Sequence, residues 1–507
     1  MSFDVLAEPW IPVRDQEGIH DVSVLQVLEH ATEYLEISDV SPQYEFGIYR
    51  MLFAFLMDAY RPSRQWDIED ILETGSFDMK KISDYIAECN KEGKRFDLFD
   101  AEHPFLQVPL NEWEKKETVP VVNMINFQPS GNNHIHFDHT IDREREIDYK
   151  EAAKLLCSIS LFCTPGAQEY PSTVNGTPPT YCVVKGKNLF ETLVYGMVPA
   201  SICENYANPP AIWHSNQKVE AKKLVASSSL LYLLTFPCRR VTLEAETDNK
   251  VRKIHFGQGM NFVGYESFKD PYVSYRYSEK GVSSLKPQLE KAAWRNIATI
   301  MDCSDTATAS APFTLKQFRK LTNTSKVVVD LFEVVTNKAA YYEEQKGSLV
   351  VARRILDSEI RFKTMKNAVS RVEEISEMLE YGCKCLAKKL NRDGLDASML
   401  AQCQEAKKRF FAAARDDFFS VLLEQLDNEK PDYKVIAEEW NHKMIIWCMR
   451  EYERFADTVC NNSYMLICAV EARQDLMRSL YRKSDKNDET GRKRKAGGKK
   501  SELEEKN

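Results

Sequence analysis

The sequence predicts an α+β protein of two unlike parts. A large mixed α/β domain spans residues 1–363, an all-α four-helix bundle spans residues 364–483, and a charged tail follows at 484–507. Three observations carry that reading. At 507 residues the chain exceeds what one ordinary hydrophobic core holds. Up to residue 363, short helical patterns alternate with strand-like runs and long polar loops. From about residue 364 Gly and Pro nearly vanish, and four long helical patterns follow, near 365–391, 397–426, 432–459 and 463–482.

Near the start of the chain, Trp10-Ile11-Pro12-Val13 reads as the start of an edge strand, since Pro cannot donate to a ladder. Ser23 with Gln26 is a capping box that opens a helix through Ala31. Ser41-Pro42 is an N-cap with Pro at the first helical position, and the helix it opens carries Phe46, Tyr49, Phe53, Leu56, Met57 and Tyr60 on one side. Another helix is expected over 79–89. A long polar loop at 123–147 holds His134, His136 and His139, with Asp138 and Asp142. Asp148 with Glu151 caps the next helix, which carries Ala152, Ala153, Leu155, Leu156, Ile159, Phe162 and Cys163. Then comes TPGAQEYPSTVNGTPPT, residues 164–180, a loop with Pro and Gly at both ends and Asn175-Gly176 inside it. A loop this long between a firm helix and a strand at 181–184 reads as functional. Its glycines let backbone approach a ligand closely.

Asn188 with Glu191 caps a helix through Met197, and residues 219–234 show a helical pattern that places Lys218, Lys222 and Lys223 on one face. Strands are expected at 240–244 and 253–256. In the bundle, Val369, Val372, Ser376, Leu379, Cys383, Leu386 and Leu390 mark the inner face of the first helix. Ile436, Trp440, Met444, Trp447, Tyr452 and Phe455 mark the third. Turns at 391–394 and 428–431 make short connections, as antiparallel bundle helices require. Residues 482–507 hold ten Lys/Arg against six Asp/Glu, a net of +4, and read as a disordered tail.

Composition excludes several functions. A net charge of −8 argues against a generally basic nucleic-acid binder, so any such contact must come from local patches. Beside the lysines at 218–223 there are two such groups: Lys316, Arg319, Lys320 and Lys326, and then Arg353, Arg354, Arg361, Lys363 and Lys366. Charge runs are usually solvated faces; three of them in an acidic protein raise the prospect of a polyanion track. Residues 1–9 are polar and acidic, unlike a signal peptide, and no apolar run approaches the roughly 20 residues a membrane span needs. A cytoplasmic protein without a membrane partner is expected. The 13 cysteines are scattered with no CxxC, as in a reducing compartment. Residues 256–264, FGQGMNFVG, match neither GxGxxG nor GxxxxGK[ST], and no GxSxG occurs, so no nucleotide site, cofactor or catalytic constellation is expected.

Taken together, WIPV at 10–13, AEHPFLQ at 101–107, NFQP at 126–129, HFDHT at 136–140, the PG…NGTP loop from Pro165 and VTNKAAYYEE at 335–344 resemble the CasA family. That family is the large subunit of the type I-E CRISPR surveillance complex Cascade. The resemblance implies a mixed α/β domain followed by a four-helix bundle, and a subunit that is not itself an enzyme. Such a subunit reads the protospacer-adjacent motif in double-stranded DNA, largely from the minor groove. It promotes duplex opening and R-loop formation with the guide RNA, and recruits the helicase-nuclease. By position, the 164–180 loop matches the family's Gly-rich reader, which implies DNA contacts at Gly166, Ala167 and Gln168. VTNKAA matches a short β-hairpin wedge and implies duplex opening by Asn337, Lys338 and Ala339. NFQP implies docking of Asn126 and Phe127 on the guide RNA and on neighbouring Cascade subunits. Where relatives carry a Gly run, this chain has Ala167, Gln168, Glu169 and Tyr170, and it lacks the paired cysteines some relatives use for zinc.

Two other readings compete. A metal-dependent hydrolase would use His134, His136 and His139 with Asp138, since His-x-His plus a third His suits zinc. There is no HExxH and no helical i, i+4 pair, and histidines held by solvent or hydrogen bonds are the simpler reading, so no metal site is expected. The third reading is a helical scaffold without nucleic-acid contact.

Overall fold

A 19-residue helix, Pro42–Tyr60, runs through the N-terminal part of the protein with every residue from Gln43 to Asp58 buried. A helix buried all round must be apolar or satisfied on every face. Phe46 stacks on Tyr181 at 4.3 Å and also meets Phe162 and Phe332. Phe53 stacks on Tyr272 at 5.0 Å. Gly47 lets this helix meet the backbone of Tyr149–Phe162: a Cβ there would lie 3.0 Å from Cys157 and Ser158. Arg50, fully inside, donates to the Leu234 carbonyl at 3.0 Å and to Asp270 at 2.7 Å.

The computed structural model describes residues 1–114, 117–125, 145–163, 170–265, 267–279, 281–289, 291–304, 308–337, 340–390 and 395–482, with only the backbone of 337, 340 and 482. The chain forms two units, Met1–Arg353 and Arg354–Asn507. The charged tail expected at 484–507 lies outside the described residues.

The first unit carries several small sheets around the Pro42–Tyr60 helix. The helices Val24–Glu29, Met79–Cys89, Tyr149–Phe162 and Leu189–Gly196 form where the sequence expects them. Ser23 and Gln26 make the reciprocal capping box, Asp148 accepts from the Glu151 amide and Asn188 from the Glu191 amide. Arg239–Leu243 and Lys253–Gln258 pair antiparallel, again as expected.

Two expectations are corrected. Ile11–Arg14 is the central strand of its sheet, flanked by Ile19–Val22 and Glu36–Ile37, and not an edge. Pro12 is tolerated because its carbonyl accepts from Ser38, just beyond the two-residue strand Glu36–Ile37. Its missing N–H faces a place where no ladder continues. The helix over 219–234 does not form. Lys222 has φ +61°, outside the helical region, and Leu224–Val225 is a strand parallel to Asn261–Phe262. The helix begins only at Leu230, where Ser229 accepts from the Tyr232 amide at 3.1 Å. Lys218, Lys222 and Lys223 therefore share no helix face, and Lys223 pairs with Glu220 at 2.6 Å.

A long antiparallel hairpin ends the first unit. Its strands are Lys326–Asn337 and Ala340–Ala352, and the first also pairs antiparallel with Tyr181–Val184. These strands are 12 and 13 residues long, and Asn337, the first of the residues that the resemblance assigns to a wedge, ends the first of them.

The second unit is the helical bundle. Its long helices are Glu359–Lys389, Ala397–Asp417, Tyr433–Val459 and Ser463–Arg482; a π turn at Phe418–Leu422 and the short helix Leu423–Asp427 extend the second. Ser358, Asp396 and Asp432 cap the first three. Inside, Trp440 Nε1 donates to the Ala368 carbonyl at 3.0 Å and the Tyr452 hydroxyl to Ala469 at 2.9 Å. Gly382 packs against Tyr452 and Leu476, where a Cβ would meet Leu476 at 2.9 Å.

Candidate nucleic-acid interface

The flanks of the three stretches singled out in the sequence lie on small separate sheets, and the strand Tyr181–Val184 joins the 164–180 stretch to the hairpin sheet. The described flanks of the 126–144 stretch pair with two short strands, Lys253–Gln258 and Lys250–Val251, separated in the chain only by Arg252. Before it, Val119–Pro120 pairs with Ile254 and Lys253; after it, Ile147–Asp148 pairs with Val251 and Lys250. Between these pairings the Arg252 carbonyl accepts from Val121 at 2.8 Å, and the Arg252 guanidinium gathers Glu146, Glu246 and Asp248.

The 164–180 loop is rooted at the neighbouring strand. Cys163, directly before it, closes the helix Tyr149–Phe162, and its Sγ lies 3.5 Å from the Cys238 Sγ. That thiol contact pulls the Cys163 thiol below its ordinary value. Tyr170 lies under the Arg239 guanidinium, 4.9 Å from the ring centroid, and stacks on Phe256 at 5.8 Å. Thr173 and Gly176 exchange backbone hydrogen bonds in a tight turn that requires φ +76° at Gly176. Asn175 donates to Asp270 at 2.9 Å, tying the turn to the buried Arg50–Asp270 pair.

From Tyr181 the chain enters the hairpin sheet. The register sets Tyr181 opposite Phe332, so the preceding Thr180 runs beside Glu333, to which its hydroxyl donates. Burial raises the Glu333 carboxyl above its usual range, and the Thr180 hydrogen bond opposes that shift. Because the strands are antiparallel, the loop arrives on the side of the hairpin that leads to its tip. From Glu333 to Asn337 is four residues, about 13 Å of extended strand.

Near the tip the register shifts between Val335 and Thr336, so Tyr342 is the extra residue of a bulge. A bulge twists a strand locally and re-aims the residues beyond it. Asn337 pairs with Ala340 across the last rung. The second strand is latched to the start of the Pro42–Tyr60 helix. Glu344 accepts from Ser41 at 2.9 Å and from Gln43 at 3.0 Å, and Lys346 pairs with Glu45 at 2.7 Å.

Asn126, Phe127, Gly166, Ala167, Gln168, Lys338 and Ala339 lie outside the described residues, as do the side chain of Asn337 and His134, His136 and His139. Among the described residues, no group of three or more His, Cys, Asp or Glu side chains is placed to hold a metal ion, and no helix is long and apolar enough to cross a membrane. Several basic residues counted toward a polyanion track serve the fold instead. Arg353 donates to the Thr322 and Arg319 carbonyls. Arg354 and Arg361 donate to carbonyls at the end of Leu423–Asp427, the favoured place for cations on a helix.

The sequence reading missed Arg239, Asp270 and Glu344. Each acts through a partner distant in the chain, so local spacing carried no sign of it.

The family model for CRISPR-associated protein Cse1 matches residues 4–445. The chain belongs to the CRISPR-associated protein Cse1 family. The resemblance read from the motifs is thereby borne out. A curated relative, CRISPR-associated protein CasA/Cse1 of Thermus thermophilus, is 29% identical over 311 residues, which span 59% of this chain and 60% of the relative. The chain thus matches less than two thirds of that Cse1 relative's length. A solved structure of Thermus thermophilus CasA (Cse1) superposes with a TM-score of 0.76 at 20% identity, covering 94% of this chain and 99% of that one. A chain of a solved CRISPR RNA-guided surveillance complex gives a TM-score of 0.77 at 18% identity over 94% of this chain and 99% of its own. These likenesses establish the fold, and the α+β class agrees with them.

Proposed function

We propose that this Cse1-family chain is a non-catalytic large subunit of a CRISPR surveillance complex. In this reading it reads a short motif in double-stranded DNA with residues 164–180 and opens the adjoining duplex with Asn337, Lys338 and Ala339. The observation that supports the proposal is the shared sheet: Tyr181–Val184, which follows the described part of the loop, is hydrogen-bonded to the hairpin strand that runs on to Asn337. A site built on strands is held more firmly than one on loops alone. The likeness to a chain of a CRISPR RNA-guided surveillance complex supports partnership with other complex subunits and a guide RNA. In this reading the chain docks through Asn126 and Phe127 and later recruits a helicase-nuclease, as the family resemblance implies.

The chemistry suits the task. A motif reader must scan, so its own DNA affinity is modest and salt-dependent. Minor-groove readout is degenerate and tolerates several motifs, while guide pairing supplies sequence specificity. Gln168 can donate to the N3 or O2 acceptors found on every base pair in that groove. A carboxylate at Glu169 disfavours nearby phosphate, so removing its charge favours DNA.

The test is binding of the assembled complex to a randomised motif library at one salt concentration. Gln168→Ala changes the ranking of accepted motifs, and Glu169→Ala raises overall affinity with the ranking kept. Unchanged ranking and affinity for Gln168→Ala would remove the loop from the DNA interface.

A further inference from the structure

Residues within 202–209, 217–233 and 260–269 of the first unit line a groove of about 1070 Å³. One wall is the strand Leu224–Val225, which pairs parallel with Asn261–Phe262 and with no other strand among the described residues. The ladder uses the residues on either side of Leu224: Asn261 donates to the Lys223 carbonyl at 2.8 Å and Val263 to the Val225 carbonyl at 2.9 Å. The amide and carbonyl of Leu224 therefore face away from the ladder, and Leu224 is 68% exposed. Phe262 and Phe268, both buried, give the groove an apolar floor. Tyr232 lines it too, 1% exposed, with no hydrogen-bond partner for its hydroxyl among the described residues. Lys269, also on the lining, holds its Nζ 4.7 Å from the Tyr275 ring centroid and 5.0 Å from that of Tyr277, and forms no ion pair among the described residues. Partial burial keeps its ammonium below the ordinary lysine value.

We propose that this groove binds an extended peptide segment of a partner protein, carrying a carboxylate beside apolar residues, as a third strand along Leu224–Val225. An open strand edge gives such a segment main-chain hydrogen bonds, and the surface beside it reads alternate side chains. The incoming strand pairs with the Leu224 N–H and C=O. Its side chains two residues apart, about 7 Å, lie on one face, so an apolar one can settle on Phe262 and Phe268 while a carboxylate meets Lys269. The Tyr232 hydroxyl then gains the partner that a buried polar group calls for. The charges favour an acidic segment: with Lys223 held by Glu220 at 2.6 Å, Lys218 and Lys269 stand against Glu204 alone. The volume lies above the roughly 300–1,000 Å³ of small-molecule pockets and suits several residues of peptide. Such binding requires nothing of residues 164–180.

The experiment selects a randomised library of short peptides on the purified full-length chain and measures the enriched peptides by fluorescence anisotropy. Wild type, Leu224→Pro, Tyr232→Phe and Lys269→Met are compared, with oligothymidylate as a second probe. Pro is tolerated at position 224 because the ladder does not use that amide, yet it removes the donor an added strand needs. Enriched peptides should alternate apolar and acidic residues. Leu224→Pro and Tyr232→Phe should each weaken them by about three- to tenfold, the net worth of one hydrogen bond. Lys269→Met should weaken them by about two- to fivefold, the scale of an exposed ion pair, and should lose nothing further when the peptide's acidic residue is changed to Gln. Because the Tyr232 hydroxyl has no partner in the free chain, Tyr232→Phe should unfold no more easily than wild type, so its lost affinity is not a folding defect. Should Leu224→Pro not fold, Tyr232→Phe and Lys269→Met decide the matter. No enrichment, or enriched peptides that bind wild type and the variants equally, overturns the proposal. Oligothymidylate binding that the same variants weaken assigns the groove to nucleic acid and overturns it as well.

Discussion

Glu45 should make the first unit less stable as pH rises through neutrality. Its side chain is 1% exposed and lies 2.7 Å from Lys346 of the hairpin, while Oε2 has no hydrogen-bond partner among the described residues. Burial pushes its carboxyl from 4.5 up to about 7, against the pull of Lys346. A folded-state value above the unfolded one means that the folded protein holds the proton more tightly. That stabilisation is complete below about pH 4.5 and is lost as pH rises through about 7. Between pH 5 and pH 8 the loss is roughly 2–3 kcal/mol, at about 1.4 kcal/mol per pH unit of displacement. Glu45→Gln removes the titration and keeps an oxygen that can accept from Lys346. Urea unfolding of wild type and Glu45→Gln in parallel at pH 5, 6, 7 and 8 isolates the effect, because every other titrating group cancels in the difference. Wild-type stability relative to the variant should fall by that amount across the series. A difference independent of pH would refute the reasoning, and with it the view that a buried carboxyl, rather than a solvated ion pair, fastens the hairpin to the Pro42–Tyr60 helix.

Asn337→Ala with Lys338→Ala should leave assembly intact and slow R-loop formation on linear duplex, and a pre-melted bubble target should rescue it because the cost of opening has been removed; stopped-flow R-loop rates equal to wild type would contradict this. Phe127→Ala should weaken retention in the complex by about 10–100-fold if Phe127 stacks on an unpaired guide base, read from subunit loss on dilution; wild-type stoichiometry would place Phe127 in the core instead.

Much of the fold was legible because local rules and tertiary demands agree there. The capping residues Ser23, Asp148 and Asn188 stand where the observed helices start. The near absence of Gly and Pro beyond residue 364 announces helices that the structure contains. The reading failed where long-range pairing decides. Residues 219–234 carry an apolar pattern that suits a helix, yet Lys222 turns left-handed and Leu224–Val225 pairs with Asn261–Phe262 instead. The hairpin strands escaped residue-level reading for a related reason. Val327, Val329, Leu331 and Phe332 are fully buried with Asp330 and Glu333 between and beside them, so no clean alternation of apolar and polar residues survives. Family motifs led to the tip at 337–339, whereas the pairing of Thr180 with Glu333 and the hold of Arg239 on Tyr170 depend on contacts no spacing rule encodes.

The central claim is that the 164–180 loop and the hairpin tip act together at one point on a DNA duplex. The direct test places a photo-cross-linking amino acid at position 168 or 338 in the assembled complex, bound to a duplex that carries an accepted motif. Cross-links from both positions should map to the motif and the first few base pairs beside it. Cross-links from the two positions separated by a helical turn, about 34 Å, or from neither, would contradict the claim.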